Sequence, residues 1–203
     1  MTLVDEEHRR LNTTTEQLAS VMYPLTAFEQ GESSLIEHAE VLDARLLPQP
    51  YRSLLVHLDD MTPTLEAFYD CTLTLKVLAR QLDADTLFRQ VLLADEQDEE
   101  RVVEFGAIRI ELARFDEEPR RLIEQCRVPL GTILGRYAVA HDSRPDTFFQ
   151  IEPGKALCEL FRMDRPQPVY GRHNKLRNMR QETLAEIVEI LPPAELLRKE
   201  PTP

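Results

Sequence analysis

The stretch from Thr72 to Leu112 narrows the possible folds of this chain more than any other. Threonine alternates with leucine in Thr72-Leu73-Thr74-Leu75, a second apolar run follows at Leu87-Phe88-Arg89-Gln90-Val91-Leu92-Leu93, and a third fills Val102 to Leu112. A period of two puts successive side chains on opposite faces of an extended strand, whereas a helix repeats every 3.6 residues. Between the runs lie Asp83-Ala84-Asp85 and the acidic tip Asp95-Glu96-Gln97-Asp98-Glu99-Glu100, which lack the spacing of calcium loops and read as solvated turns. Strands joined this closely pair antiparallel, because a parallel pair needs a crossover of about a dozen residues. The base of the molecule is therefore expected to be an antiparallel sheet.

Other segments add helices and a second hairpin. Thr14 to Phe28 and Ser34 to Leu46 carry apolar residues at mixed helical spacing, so residues 1–46 are expected to form an N-terminal helical extension. Leu47-Pro48-Gln49-Pro50 is a stiff hinge, and Thr62 followed by Pro63 is a good helix start, with a helix expected to about Tyr69. Val169 to Arg177 and Leu184 to Leu191 flank the turn-like Asn178-Met179-Arg180-Gln181-Glu182, a terminal hairpin that Pro192-Pro193 stops. Strands near both ends with helices between them describe an α+β domain over residues 47–195, followed by a polar tail over 196–203.

Composition removes several functions. A net charge of −12 lacks the basic stripe that nucleic acid demands, so no nucleic-acid partner is expected. No apolar run is long enough to span a bilayer, and Met1-Thr2-Leu3-Val4-Asp5-Glu6-Glu7-His8 lacks the order of a signal peptide; no membrane partner and a cytoplasmic location are expected. Cys71, Cys126 and Cys158 are scattered and read as plain thiols, and the five histidines do not cluster, so no metal is expected. The usual hydrolase, metalloprotease, P-loop and dinucleotide motifs do not occur. Carboxylate and arginine chemistry remains.

Arg109 is the prominent case, a cation between Ile108 and Ile110 in an otherwise apolar strand. A guanidinium in that setting needs an anionic partner. Two candidates stay open: an internal carboxylate such as Glu111, two residues along on the same face, or an anion on a ligand.

In order along residues 50–193 stand Asp60-Met61-Thr62, Ile108-Arg109-Ile110-Glu111-Leu112, Asp116-Glu117-Glu118-Pro119, Arg127-Val128-Pro129-Leu130, Tyr170-Gly171-Arg172-His173-Asn174-Lys175-Leu176 and Val188-Glu189-Ile190-Leu191-Pro192-Pro193. Their order and spacing resemble the chorismate-pyruvate lyase family. The resemblance implies a chorismate lyase-like fold, a six-stranded antiparallel sheet with helices on one side and a buried pocket. It also implies a carbon-oxygen lyase that cleaves chorismate to 4-hydroxybenzoate and pyruvate without a cofactor. By that resemblance Arg109 grips the ring carboxylate, Glu189 stands at the ring hydroxyl and handles a proton, Met61 lines the pocket, and Arg172 neutralises the enolpyruvyl carboxylate. The alternative is a non-catalytic domain of the same fold that binds or senses an aromatic carboxylate.

Overall fold

The computed structural model describes residues 20–28 and 35–197. Seven strands make one sheet: β1 Ile36–Leu42, β2 Leu73–Asp83, β3 Thr86–Asp95, β4 Val102–Glu111, β5 His141–Pro153, β6 Val169–Asn178 and β7 Thr183–Leu191. The helices are α1 Tyr51–Leu55, α2 Met61–Tyr69, α3 Glu117–Gln125, α4 Leu130–Arg136 and α5 Lys155–Leu160. Among the described residues every strand pairing is antiparallel, in the order β1-β5-β6-β7-β4-β3-β2. The architecture is α+β, as expected, with seven strands where six were expected.

The order shows two local meanders, β2-β3-β4 and β5-β6-β7, joined side by side along β4 and β7. At that seam Phe105 stands opposite Ile190 and Ile110 opposite Ala185. The two-residue turn at Ala84-Asp85 closes the first hairpin, with Ala84 at φ 49, and the Asn178–Glu182 turn closes the last one. These are the places where the sequence carries turn chemistry.

Two expectations need correction. The helix expected over Ser34 to Leu46 is strand β1 followed by a 3-10 turn at Ala44–Leu46. Ile36-Glu37-His38-Ala39-Glu40-Val41-Leu42 contains good helix formers, but pairing with β5 at the sheet edge overrides that preference. Of the first expected helix, Leu25–Phe28 forms a 3-10 turn, and residues 1–19 lie outside the described residues, as do 198–203. Strand β5 was not expected at all.

Side chains alternate between two faces. One face carries Leu87, Ile108, Ile110, Leu176 and Ile187 under α3 and α4, and continues to Leu73, Leu93 and Leu191 under α1 and α2. The opposite face carries Leu92, Phe105, Ala107, Phe149, Val188 and Ile190 under α5 and residues Met22 and Leu25. Helical cover on both faces corrects the one-sided layering that the family resemblance implied. Phe105 and Phe149 are wholly buried, each contributing roughly 1.5–3 kcal/mol of transfer free energy. Close packing reaches the backbone at Gly171, where a Cβ would sit 2.4 Å from the Glu189 carbonyl oxygen and 2.5 Å from the Phe149 ring.

Candidate functional site

The face under α1–α4 is not uniformly apolar. Register places Arg89, Ile108, Ile187 and Asn174 in one row across β3, β4, β7 and β6, and Val91, Gly106, Glu189 and Arg172 in the next. Glu104 follows two residues beyond Gly106 on the same face of β4. Between this floor and the helices lies a cavity of about 60 Å³, roofed by Met61 and Thr62 of α2 and by Leu130 and Gly131 of α4. It has room for a few water molecules or the head group of a small ligand. Gly106 makes part of that room by having no side chain: a Cβ there would lie 3.2 Å from Val91 Cγ2 and 3.3 Å from Glu104 Oε1.

The four residues assigned by resemblance separate. Arg109 points to the other face of the sheet, away from the cavity. Its Nη2 donates to Glu111 Oε1, and its Nη1 lies 4.0 Å from Glu186 Oε2, its cross-strand partner. Glu186 also meets the Lys175 ammonium at 3.2 Å, and His173 Nδ1 lies 2.7 Å from Asp146 Oδ1 in the same polar cluster. The internal-carboxylate partner foreseen for Arg109 is thus the one it has. Because side chains alternate along β4 and β7, Arg109 and Glu189 cannot share a site.

Glu189 and Met61 do line the cavity. Arg172 lies behind it, fully buried, with its Nε donating to Glu189 Oε2. Its Nη1 donates to the Leu55 carbonyl at 3.1 Å and the His57 carbonyl at 3.4 Å, and its Nη2 to the Asp59 carbonyl at 3.5 Å. These bonds pin the loop between α1 and α2 to the sheet and so set the height of the Met61 roof. Arg172 is a clamp whose donors are engaged within the protein. His57, in that loop, has its pKa lowered first by burial and then by the Arg172 charge. Its Nδ1 accepts from the Asp59 N–H at 3.2 Å, so its Nε2 is the nitrogen that donates to the Leu54 carbonyl at 2.7 Å.

The cavity's own cation is Arg89, which the resemblance did not mark. It is 1 % exposed, and its Nε and Nη1 have no hydrogen-bond partner. Burial pushes its pKa down, and the Cys126 thiol beside it works in the opposite direction. A signal for it was present: Leu87, Arg89, Val91 and Leu93 share one face of a strand, so Arg89 interrupts the inward row. Glu104 is the second unsatisfied group, buried with Oε2 lacking a partner. Burial raises its pKa well above the carboxylate range, the Glu189 charge adds to the rise, and Arg172 opposes it. These effects favour its neutral acid form. At the edge of the cavity Asp60 holds His141 through Nε2 at 3.0 Å, and His141 Nδ1 donates to the Val139 carbonyl at 2.8 Å. Both ring nitrogens face acceptors, and the Asp60 carboxylate raises the pKa of the ring.

Among the described residues no three His, Cys, Asp or Glu side chains converge as metal ligands do, and no helix is long and apolar enough to cross a membrane.

No family model and no curated protein matches the chain. Among solved structures it is similar to PhnF from Mycobacterium smegmatis, at 11 % identity over 71 % of this chain and 68 % of that one, with a TM-score of 0.51. It is also similar to a possible transcriptional regulator, YydK, from Bacillus subtilis, at 10 % identity over 98 % and 94 % with a TM-score of 0.47. A third is the ligand-binding domain of a putative GntR-family transcriptional regulator from Bordetella bronchiseptica, at 9 % identity over 59 % and 85 % with a TM-score of 0.42. The expected lyase is corrected here by geometry: in this molecule the two groups assigned to catalysis, Arg109 and Glu189, lie on opposite faces of the sheet, each neutralised by an internal partner. The fold itself is the chorismate lyase-like one, a seven-stranded antiparallel sheet with its cavity under the helices.

Proposed function

We propose that the domain binds a small carboxylate in the cavity under α2 and α4 and acts as a sensor, without turnover. The observation that carries this reading is Arg89, a guanidinium 1 % exposed with two nitrogens unpartnered and facing a cavity. An unpaired buried cation is unfavourable unless an anion completes it, and the planar fork suits a carboxylate. A monoanion fits better than a phosphate dianion, because Arg89 is the cation lining the cavity and a single negative charge balances it. Val91, Ile108, Ile187 and Leu130 supply apolar walls. Met61 and Glu189 keep a place in this proposal as lining, Arg172 as the clamp behind them.

The regulators among the similar structures support a sensing role for this architecture. Regulators of transcription act on nucleic acid, so the expectation of no nucleic-acid partner, drawn from the net charge of the whole chain, is not carried into this proposal.

The test is calorimetric binding of a panel of small aliphatic and aromatic carboxylates to the whole chain and two variants. Arg89→Gln is expected to lose at least tenfold in affinity for every carboxylate that binds, while Arg109→Gln is unchanged. Equal loss in both variants, or none in Arg89→Gln, refutes the assignment.

A further inference from the structure

The cavity holds a cation and a carboxyl that do not meet. Arg89 offers Nε and Nη1 without partners and Glu104 offers Oε2 without one. A buried guanidinium and a buried carboxyl lining one cavity close on each other when the backbone permits, since each satisfies the other. Here the sheet holds their anchors apart. Ile108 stands opposite Arg89, and Glu104 lies four residues further along β4, a span of about 13 Å of strand. Gly106 sits between, its missing side chain leaving the gap open beside Glu104 Oε1. On β6 a third group is unfilled. Asn174 Nδ2 donates to Ser143 Oγ at 3.0 Å, and that hydroxyl donates to the Asp59 carbonyl at 3.5 Å. This chain fixes the amide so that Asn174 Oδ1, an acceptor, is the atom left without a partner.

The unfilled donors thus sit on β3 and the unfilled acceptors on β4 and β6. We infer, resting on the carboxylate-binding reading above, that the ligand is a zwitterion: a carboxylate for Arg89 and, several bonds away, a protonated amine for Glu104. A hydroxyl is the poorer match, because it brings one donor and two acceptor lone pairs, whereas an ammonium brings three donors and no acceptor. Charge also closes: the ligand carboxylate balances Arg89, the ammonium balances an ionised Glu104, and Arg172 with Glu189 is already a neutral pair.

The inference carries a proton balance. In the empty cavity burial and Glu189 favour the protonated form of Glu104, against Arg172; Arg89 on β3 and the Asp60–His141 pair at the edge complete the charged groups around the cavity. Docking the ammonium ionises Glu104, and its proton leaves to the buffer.

The experiment is isothermal titration of the whole chain with glycine, 3-aminopropanoate, 4-aminobutanoate, 5-aminopentanoate and 6-aminohexanoate, beside the alkanoate and ω-hydroxy acid of each length. One amino acid is expected to bind at least tenfold tighter than both analogues and to release a proton, read from two buffers of different ionisation enthalpy. Glu104→Gln is expected to abolish that gain and the proton release, with circular dichroism and Tm showing that the variant is folded. Alkanoates that bind without any gain from the amine, or a gain that survives in Glu104→Gln, overturn the zwitterion while leaving carboxylate binding intact. If no acid of any series binds, the carboxylate reading falls and the zwitterion with it.

Discussion

A guanidinium that is buried and short of partners destabilises the protein that carries it. Arg89→Met replaces it with a flexible apolar chain, so the variant is expected to melt a few degrees higher than the parent without ligand, a gain of about 1–3 kcal/mol. The same variant loses the ligand-induced rise in Tm, and a scan with and without carboxylate measures both. Glu104 behaves differently because its burden depends on pH. Its folded pKa is raised, so its contribution to stability is fully present below the ordinary carboxylate range and is lost as pH rises towards the folded value. Glu104→Gln is indifferent to pH, so its stability relative to the parent is expected to climb over that window, by at most about 1.4 kcal/mol per pH unit. Chemical denaturation from pH 4 to pH 8 reads the trend, and a flat difference would contradict a buried neutral acid. At this scale the sequence was legible in kind but not in place. An arginine in an apolar strand does mark the site, yet the paired strands β3 and β4 each contain one, in Phe88-Arg89-Gln90 and Ile108-Arg109-Ile110. Only the face each one shares decides between them: Arg89 travels with Leu87, Val91 and Leu93, Arg109 with Ala107 and Glu111.

Elements whose partners are near in sequence were foreseen, and those whose partners are distant were not. Strands β2, β3 and β4 follow one another through short turns, and β6 and β7 form a hairpin, so turn chemistry and alternation announce them. Strand β1 takes its form from β5, with Ala39 opposite Ile151 and Val41 opposite Phe149, more than a hundred residues away. Strand β5 itself contains Pro145 and a run of polar residues, and Pro145 adjoins a break in register with β6, which hides the strand from any periodic reading. Where β6 pairs with β5 the elements leave no slack. Gly171→Ala places a methyl 2.4 Å from the Glu189 carbonyl, so either the β6–β7 pairing or the Phe149 ring must shift; the expected loss is about 1–3 kcal/mol, measurable by urea denaturation. The start of α2 depends on another element too. Asp60 is its N-cap yet makes no side-chain capping bond, because its carboxylate is held by His141 at the head of β5. The raised His141 pKa means that this tie is fully present below the ordinary histidine range and weakens as pH rises through the folded value. His141→Gln is therefore expected to cost about 1 kcal/mol at pH 5.5 and little at pH 9, by the difference in Tm from the parent.

At the scale of the whole molecule the family resemblance conveyed the architecture and misplaced the chemistry. Fold follows from burial patterns that many sequences satisfy, whereas a site depends on which face a side chain takes, and a shift of one residue reverses that. The seam between β4 and β7 has a bearing on kinetics. Arg89, Gly106 and Glu104 belong to one meander, and Asn174, Ile187 and Glu189 to the other, so the cavity does not exist until the two meanders dock. Each meander closes through local turns, but the β4–β7 pairing joins residues about eighty apart and bears the larger loop entropy. A small molecule lying across that joint acts as a rivet: it leaves the rate of folding nearly untouched and slows the parting of the two halves, so occupancy is written into the protein's unfolding lifetime.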